Sequence, residues 1–253
     1  MAPVSLALVI VLAGIVYLRG WFHCRSIPAW RACSFFLGLF ATWVAVGSPV
    51  ASLDSHMLTA HMIQHVLLMT IAPPLIWLGE PLIAIGPIRW IMPTSVGSLL
   101  GHPVFCWLAA AAALVIWHAP AIFQLGMQSS TWHFLEHASF LATGLLFWWP
   151  VIQPWPSVAR WPRWSMLLYL FLATLPCDVL SGLLVFSDRV VYPMYLSMPG
   201  MVPRMGGLSP LEDQECAAAL MWTCVTVVFL VAGTILSMQM LSPKPRLQDA
   251  VSV

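Results

Sequence analysis

Apolar runs of about 20 residues, separated by short polar or proline-containing breaks, dominate the pattern of the chain. A helix needs roughly 20 apolar residues to cross the hydrocarbon core of a membrane, so each run predicts one transmembrane helix. The seven predicted spans cover residues of about 3–18, 32–50, 56–78, 103–119, 131–150, 166–186 and 210–240. The pattern therefore predicts an all-α, polytopic transmembrane helix bundle, with residues 1–253 forming a single transmembrane domain.

Several helix boundaries have specific signals. Pro120 is expected to end the fourth span, because the residue before a proline is pushed out of helical geometry. At the seventh span, Ser209 and Glu212 flank Pro210 in the pattern of a capping box with proline at the first helical position. The first span, residues 3–18, lacks the Lys or Arg that precedes the apolar core of a secretory signal. We therefore expect this span to be retained.

Composition agrees with a membrane protein. Of the 253 residues, 60% are hydrophobic and 8% are charged, whereas an ordinary soluble domain has about 25% charged residues. The formal net charge of +1 lacks the basic excess that binding to nucleic-acid phosphates requires. The six cysteines form no CxxC pair and no spacing typical of a zinc site or a disulfide framework. The expected surroundings are the lipid bilayer, and nucleic acid is not an expected partner.

Basic residues gather on one side of the predicted topology. Eight of the ten lie in the loops after spans one, three and five or in the C-terminal tail. The positive-inside rule puts these eight in the cytoplasm, so we expect the N-terminus outside and the C-terminus in the cytoplasm. The eight are Arg19, Arg25, Arg31, Arg89, Arg160, Arg163, Lys244 and Arg246.

Histidines and carboxylates concentrate at the opposite, outer side. His61 and His65 in span three are four residues apart and so share one helix face. In span five, His133, Glu136 and His137 share another face by the same spacing. Both spans begin at the outer membrane face, so these two helix faces are expected at the same depth in the membrane. The same layer also receives His56, His118, Asp178, Asp213 and Glu215.

These polar residues have a structural explanation as well as a functional one. A single histidine in a span is more often a polar contact between helices, with a hydrogen bond of about 1 kcal/mol or less. Acidic residues in a first helical turn also complement the helix dipole. Six of the eight histidines on one side are harder to explain in this way, because ionisable groups in spans are costly and usually functional. The group therefore predicts a metal or cofactor site.

The ligand types alone do not identify the metal. Imidazoles with carboxylates suit iron, zinc or copper(II), whereas added thioethers favour copper(I). Methionines do lie nearby, although methionine is also an ordinary gap-filler in helix interfaces. Those considered as additional ligands are Met57, Met62, Met194 and Met198.

A series of short motifs runs through the chain from about residue 52 to residue 240. They are Ser55-His56-Met57, His61-Met62-Ile63-Gln64-His65, Pro73-Pro74-Leu75-Ile76-Trp77-Leu78-Gly79-Glu80-Pro81, Trp117-His118-Ala119-Pro120, His133 to His137, Phe147-Trp148-Trp149-Pro150, Tyr192-Pro193-Met194-Tyr195 and Gly207 to Gln214. Together they resemble the CtaG-type multispan family of cytochrome c oxidase (caa-type) assembly factors. The chain departs from the family's pattern at Glu215-Cys216-Ala217, where a small or amide residue, often followed by glycine, is usual.

The resemblance implies a location, a role and a ligand set. Such proteins sit in the bacterial cytoplasmic (inner) membrane and support maturation of an aa-type or caa-type oxidase at a copper centre. The implied cofactor is copper, with iron and zinc as alternatives, and the implied partners are cytochrome c oxidase subunits. From the outward-facing histidines we hypothesise that copper is held at the outer face and passed to an oxidase subunit, without catalytic turnover. The family's pattern carries over onto His56, His61, His65, His118, His133, His137 and Asp213 as metal ligands.

Three other functions stay open at this point. A membrane di-metal oxidoreductase, such as a di-iron oxygenase, would also use HxxxH pairs. Enzymes of that class resemble one another in having additional HxxHH clusters, however, and this sequence has none. A haem-binding electron carrier would use two histidines on facing helices. A metal-free assembly scaffold would use the histidines only as hydrogen-bonding groups between helices.

Overall fold

The structure is a computed structural model that describes residues 2–23, 27–85, 101–154, 161–196 and 207–241. Within these ranges the regular elements are helices, and there is no strand. We number the helices in chain order. They are α1 (Ala2–His23), α2 (Ala29–Gly47), α3 (Val50–Leu53), α4 (Leu58–Leu78), α5 (Pro81–Ile85), α6 (Pro103–His118), α7 (Pro120–Gln128), α8 (Ser130–Ile152), α9 (Arg163–Val185) and α10 (Pro210–Leu241), with a 3-10 turn at Pro193–Tyr195.

Each of the seven predicted spans corresponds to one long helix, which confirms the all-α class. By length and composition, the segments that qualify as membrane spans are Ala29–Leu53, Leu58–Leu78, Arg163–Val185 and Pro210–Leu241. The bent pair α6 and α7 makes a fifth if it forms one span. The described helices thus give four or five candidate spans, and the count of seven and the sides of the two termini stay predictions.

Pro120 ends α6 as predicted, and it also starts a short helix that the sequence pattern did not predict. Ala119 has extended geometry, with φ −64° and ψ 125°, because the ring of the following proline disfavours helical geometry there. The chain resumes as α7 at an angle of 77° to α6. α7 buries Phe123 and Gly126. The bend thereby turns these two residues toward the helices that carry the histidines.

The start of α10 confirms the predicted capping box and links α10 to α4. The Glu212 carboxylate accepts a hydrogen bond from the Ser209 amide at 2.6 Å, and the Glu212 amide donates to the Ser209 hydroxyl at 3.3 Å. The next residue, Asp213, accepts hydrogen bonds from the amides of Leu58 at 2.7 Å and Thr59 at 3.2 Å. Because amides in a first helical turn lack partners within their own helix, Asp213 helps to fix where α4 begins.

α4 and α8 run side by side in the same direction. Near their starts, His65 of α4 lies against Glu136 of α8. Further along both helices, the Trp77 indole donates a hydrogen bond to the Leu145 carbonyl at 2.8 Å. The polar halves of α4 and α8 therefore lie at the same end of the bundle. α6 ends at that end too, with His118 in its last turn.

A π-helical turn interrupts α4 at Leu67–Ile71. Within it, the Ala72 amide donates to the carbonyl of Leu67, five residues back. Beside this turn α8 presents Gly144, where a Cβ atom would lie 2.7 Å from the Met69 carbonyl oxygen. A side chain at that position would clash, so the glycine lets α4 and α8 approach closely. This contact, one turn beyond the histidines of α4, holds the two polar faces together.

Candidate metal site

His61, His65 and Glu136 converge in the interior of the bundle. His61 and His65 lie one turn apart on α4, with ring centroids 4.2 Å apart. Their Nε2 atoms lie 3.4 Å and 3.2 Å from the same carboxylate oxygen, Oε1 of Glu136. One ligand atom from each residue belongs to a group whose members all lie within 4.8 Å of one another. The structure thus brings together three of the residues that the sequence pattern selected.

These three side chains are buried and poorly hydrogen-bonded. His61 and Glu136 are inaccessible to solvent, and His65 is 4% exposed. Among the described residues, the ring nitrogens of both histidines and both Glu136 carboxylate oxygens lack a hydrogen bond of acceptable geometry, despite the short separations. A buried polar group left without a hydrogen bond costs about 1–3 kcal/mol, and a charged group costs more. A bound cation would supply the missing interactions.

The separations match the dimensions of a metal site. Metal–ligand bonds of about 2.0–2.2 Å put neighbouring ligand atoms of a tetrahedral zinc site about 3.4 Å apart. The two distances from Glu136, 3.4 Å and 3.2 Å, are close to that spacing. Imidazole and carboxylate ligands suit iron, zinc or copper(II). The residues present therefore fit a metal ion of this class.

Three more histidines surround this centre. The His133 ring stacks against the His61 ring, with centroids 5.8 Å apart. The His118 and His137 rings lie 5.5 Å and 6.2 Å from the His65 ring. Five histidines from α4, α6 and α8 therefore form one continuous group, which we call the histidine cluster.

His118 has the orientation that is common among metal-binding histidines. Its Nδ1 donates to the Leu114 carbonyl at 2.8 Å, and since a carbonyl can only accept, the neutral ring then has its lone pair on Nε2. Metal-binding histidines usually donate their second nitrogen to a carbonyl or carboxylate in this way. The Nε2 atom lies 3.4 Å from Sδ of Met62, which is fully buried. An imidazole nitrogen beside a thioether sulfur is a pair that favours copper(I).

Asp54 is a functional candidate that the sequence analysis missed. Its Oδ2 lies 3.4 Å from Nε2 of His133 and 3.5 Å from the side-chain nitrogen of Gln64. Asp54 precedes α4 by four residues, so the helical spacing that selected the histidines did not include it. The sequence did contain one signal for it. Acidic residues are rare in this chain, and Asp54 is the first of them.

Gly126 and Phe123 of α7 complete the enclosure of the site. A Cβ atom at Gly126 would lie 2.9 Å from Oε2 of Glu136, so the glycine leaves room for the carboxylate. The Phe123 ring lies 4.9 Å from the His61 ring and stacks on Tyr192 at 4.0 Å. The helix that the sequence pattern did not predict therefore forms one side of the site.

The structure gives the other predicted polar residues different surroundings. Asp213 uses its carboxylate at the start of α4, where the Thr59 hydroxyl also donates to it at 2.6 Å. His56 and Asp178 are half-buried and Glu215 is exposed. Among the described residues, the structure shows no hydrogen bond or ion pair for these last three side chains. It therefore does not bring them into the histidine cluster.

Of the methionines considered as additional ligands, only some lie near the histidine cluster in the described structure. Met62 contacts His118, as described above. Met57 is buried immediately before α4, and Met194 packs against the apolar core around Tyr192. Met198 lies outside the described residues.

The chain is similar to known proteins over most of its length. Residues 15–243 match the family described as cytochrome c oxidase caa3 assembly factor (Caa3_CtaG). Uncharacterized proteins of Mycobacterium leprae and Mycobacterium bovis are each 25% identical to the chain, over 87% and 84% of its length. These matches cover 36% and 35% of the two relatives, so the chain spans about a third of the length of the curated relatives it matches. No solved structure matches the chain significantly.

Proposed function

Because the chain belongs to the family of cytochrome c oxidase caa3 assembly factors, we propose that it binds copper in the histidine cluster and supports maturation of a copper centre in the oxidase. In this proposal His61, His65 and Glu136 hold one ion. His118 and Met62 supply an adjacent nitrogen and sulfur. The chain acts by binding and transfer, so it needs no catalytic turnover.

The unsatisfied ligand atoms at the centre of the cluster carry this proposal. Buried polar groups in proteins are almost always hydrogen-bonded. Here six side-chain atoms, two each from His61, His65 and Glu136, lack such bonds among the described residues. A scaffold that used these histidines as hydrogen-bonding groups between helices would pair them. The observation therefore favours a bound cation over a metal-free scaffold.

Two features support copper over iron or zinc. The family serves cytochrome c oxidase, an enzyme that contains copper centres. In addition, the separation of 3.4 Å between His118 Nε2 and Met62 Sδ puts a soft ligand next to the imidazoles, and thioethers select copper(I).

We further infer that the protein lies in the bacterial cytoplasmic membrane with the histidine cluster toward the outer face. Two described arginines support this orientation, because both lie at the end of the bundle away from the cluster. Arg31 pairs with Glu80, which follows α4, and Arg163 donates to Gln239 near the end of α10. The positive-inside rule favours the cytoplasm for that end. Copper would then pass to an oxidase subunit that docks at the outer face.

The metal content of the purified full chain tests the proposal. We expect elemental analysis to find copper in the parent after loading with copper(I) or copper(II), and to find none in a variant with His61→Ala, His65→Ala, His133→Ala and His137→Ala. The matched control carries His23→Ala and His102→Ala, because both histidines are exposed and lie outside the cluster. This control should keep its copper. Circular dichroism should show that all three proteins retain their helices.

Other outcomes would point to the other functions. Iron in the parent would favour a di-metal oxidoreductase or a haem carrier, and a visible absorption spectrum would separate these two. No metal in the parent, even after copper loading, would favour the metal-free scaffold. The copper content and activity of the oxidase, measured in cells that express the same variants, test delivery. A normal oxidase in cells with only the copper-free variant would refute it.

A further inference from the structure

The histidine cluster is not uniformly buried. The side chains of His61, His65 and Glu136, which we call the buried set, are 0%, 4% and 1% exposed. The side chains of His133 and Asp54 are 24% and 10% exposed. Ligand groups therefore extend from a partly solvent-accessible edge to a closed interior.

The accessible part has one pair of ligand atoms at the separation found in the buried set, with a further histidine beside it. Nε2 of His133 lies 3.4 Å from Oδ2 of Asp54, which is the same separation as between His61 and Glu136. The His137 ring, one turn further along α8, lies 4.2 Å from the His133 ring. Among the described residues, Nε2 of both histidines lacks a hydrogen-bond partner. We call Asp54, His133 and His137 the rim set.

Contacts from Tyr195 and Gln64 hold Asp54 in place and still leave its carboxylate able to bind a metal ion. Its backbone carbonyl accepts a hydrogen bond from the Tyr195 hydroxyl at 2.9 Å. The Gln64 side-chain nitrogen donates to the Ala45 carbonyl at 2.8 Å and lies 3.5 Å from Oδ2 of Asp54. Carboxylates that bind metals are themselves commonly held by such outer hydrogen bonds. These contacts position the Asp54 carboxylate toward His133.

The two sets are adjacent without an intervening apolar layer. The His133 ring stacks on the His61 ring at 5.8 Å, with the planes 18° apart. The His137 ring lies 6.2 Å from the His65 ring. An ion held by the rim set can therefore exchange its ligands for those of the buried set after a movement of a few ångströms.

We infer that the rim set is a second metal position, which takes up a cation from the aqueous side and passes it to the buried set by ligand exchange. The imidazole and carboxylate ligands suit a borderline transition-metal ion. The inference rests on the proposed function for the identity of that ion as copper. No bond to carbon or change of oxidation state is involved, since one set of ligands replaces another.

Copper titration of the purified full chain tests the inference. We expect two copper ions per chain in the parent and one in a variant with Asp54→Asn and His133→Ala. A variant with His61→Ala and His65→Ala should also keep one ion, held at the rim. In stopped-flow mixing with copper, Asp54→Asn alone should slow loading of the buried set at least tenfold. The matched control Asp188→Asn, an exposed carboxylate near the same end, should load at the parent's rate.

The possible failures are distinguishable. A parent that binds one ion, kept by the Asp54→Asn and His133→Ala variant at the parent's loading rate, overturns the rim position and leaves the buried site intact. If the His61→Ala and His65→Ala variant instead keeps all the copper of the parent and the rim variant loses it, the proposed buried site fails and the rim position stands. Asp54→Asn keeps an oxygen for Gln64, so it is the variant that best preserves the local fold.

Discussion

At the scale of single residues, the position of the Glu136 carboxylate depends on a glycine from another helix. Gly126→Ala would put a Cβ atom 2.9 Å from Oε2, so the carboxylate would have to move away from His61 and His65. We expect copper affinity to fall at least tenfold. The free energy of unfolding should change by less than about 1 kcal/mol, because alanine favours the helix more than glycine does. Copper titration and denaturant unfolding measure the two effects.

Gly182→Ala is the matched control for this substitution. It adds the same methyl group inside α9, where no heavy atom other than those of the neighbouring backbone lies within 4 Å of the added carbon. It should leave copper affinity unchanged. Equal affinities for Gly126→Ala and the parent would show that the Glu136 carboxylate is not a ligand.

Sequence spacing located the residues that lie on one helix and missed those that the tertiary fold supplies. His61 and His65 share a face because helical periodicity requires it, and the structure brings them together. Asp54 and Gly126 reach the cluster from outside the three helices that carry its histidines. Their positions follow from the chain's bends before α4 and after α6, which no periodic pattern encodes.

At the scale of helices, Asp213 acts as a capping residue for α4. It accepts hydrogen bonds from the amides of Leu58 and Thr59 and from the Thr59 hydroxyl. Asp213→Ala should therefore lower the free energy of unfolding by about 1–2 kcal/mol, as loss of a cap does. It should leave the number of bound copper ions unchanged. Chemical denaturation and elemental analysis provide both measurements.

The exposed residue Asp188 provides the comparison for Asp213. Asp188→Ala removes a carboxylate at a helix-connecting segment and should change neither stability nor copper content. If Asp213→Ala loses copper while its stability stays at the parent's value, Asp213 is a ligand, as the family resemblance implies. The two substitutions therefore separate the capping role from the ligand role.

The helices themselves were largely predictable, whereas their interruptions were not. Apolar runs and the capping box at Ser209 to Glu212 located the long helices, because those signals are local. α7 was missed because its nine residues are too few to form a span, and because its first residue, Pro120, indicates only the end of the preceding helix. The π turn at Leu67–Ile71 was also missed, because the apolar pattern does not distinguish it from an ordinary helical turn.

At the scale of the whole molecule, the fold separates the histidine cluster from the end that bears Arg31 and Arg163. His118 ends α6 at the cluster, and its carbonyl accepts a hydrogen bond from Tyr192, which follows α9. His102 precedes α6 at the other end and packs against Trp161, which precedes α9. If the cluster faces outward, the segment after α9 lies outside the cell and His102 lies inside.

Single cysteines at these two ends test the orientation in intact cells. In a background in which all six native cysteines are replaced, a membrane-impermeant maleimide should label Asp188→Cys directly. It should label His102→Cys only after the membrane is permeabilised, because the positive-inside rule puts that end in the cytoplasm. Both positions are exposed in the fold, so access depends on the side of the membrane alone. The reverse pattern would move the histidine cluster to the cytoplasmic face. Copper binding would then still be possible, but delivery to an oxidase subunit at the outer face would not.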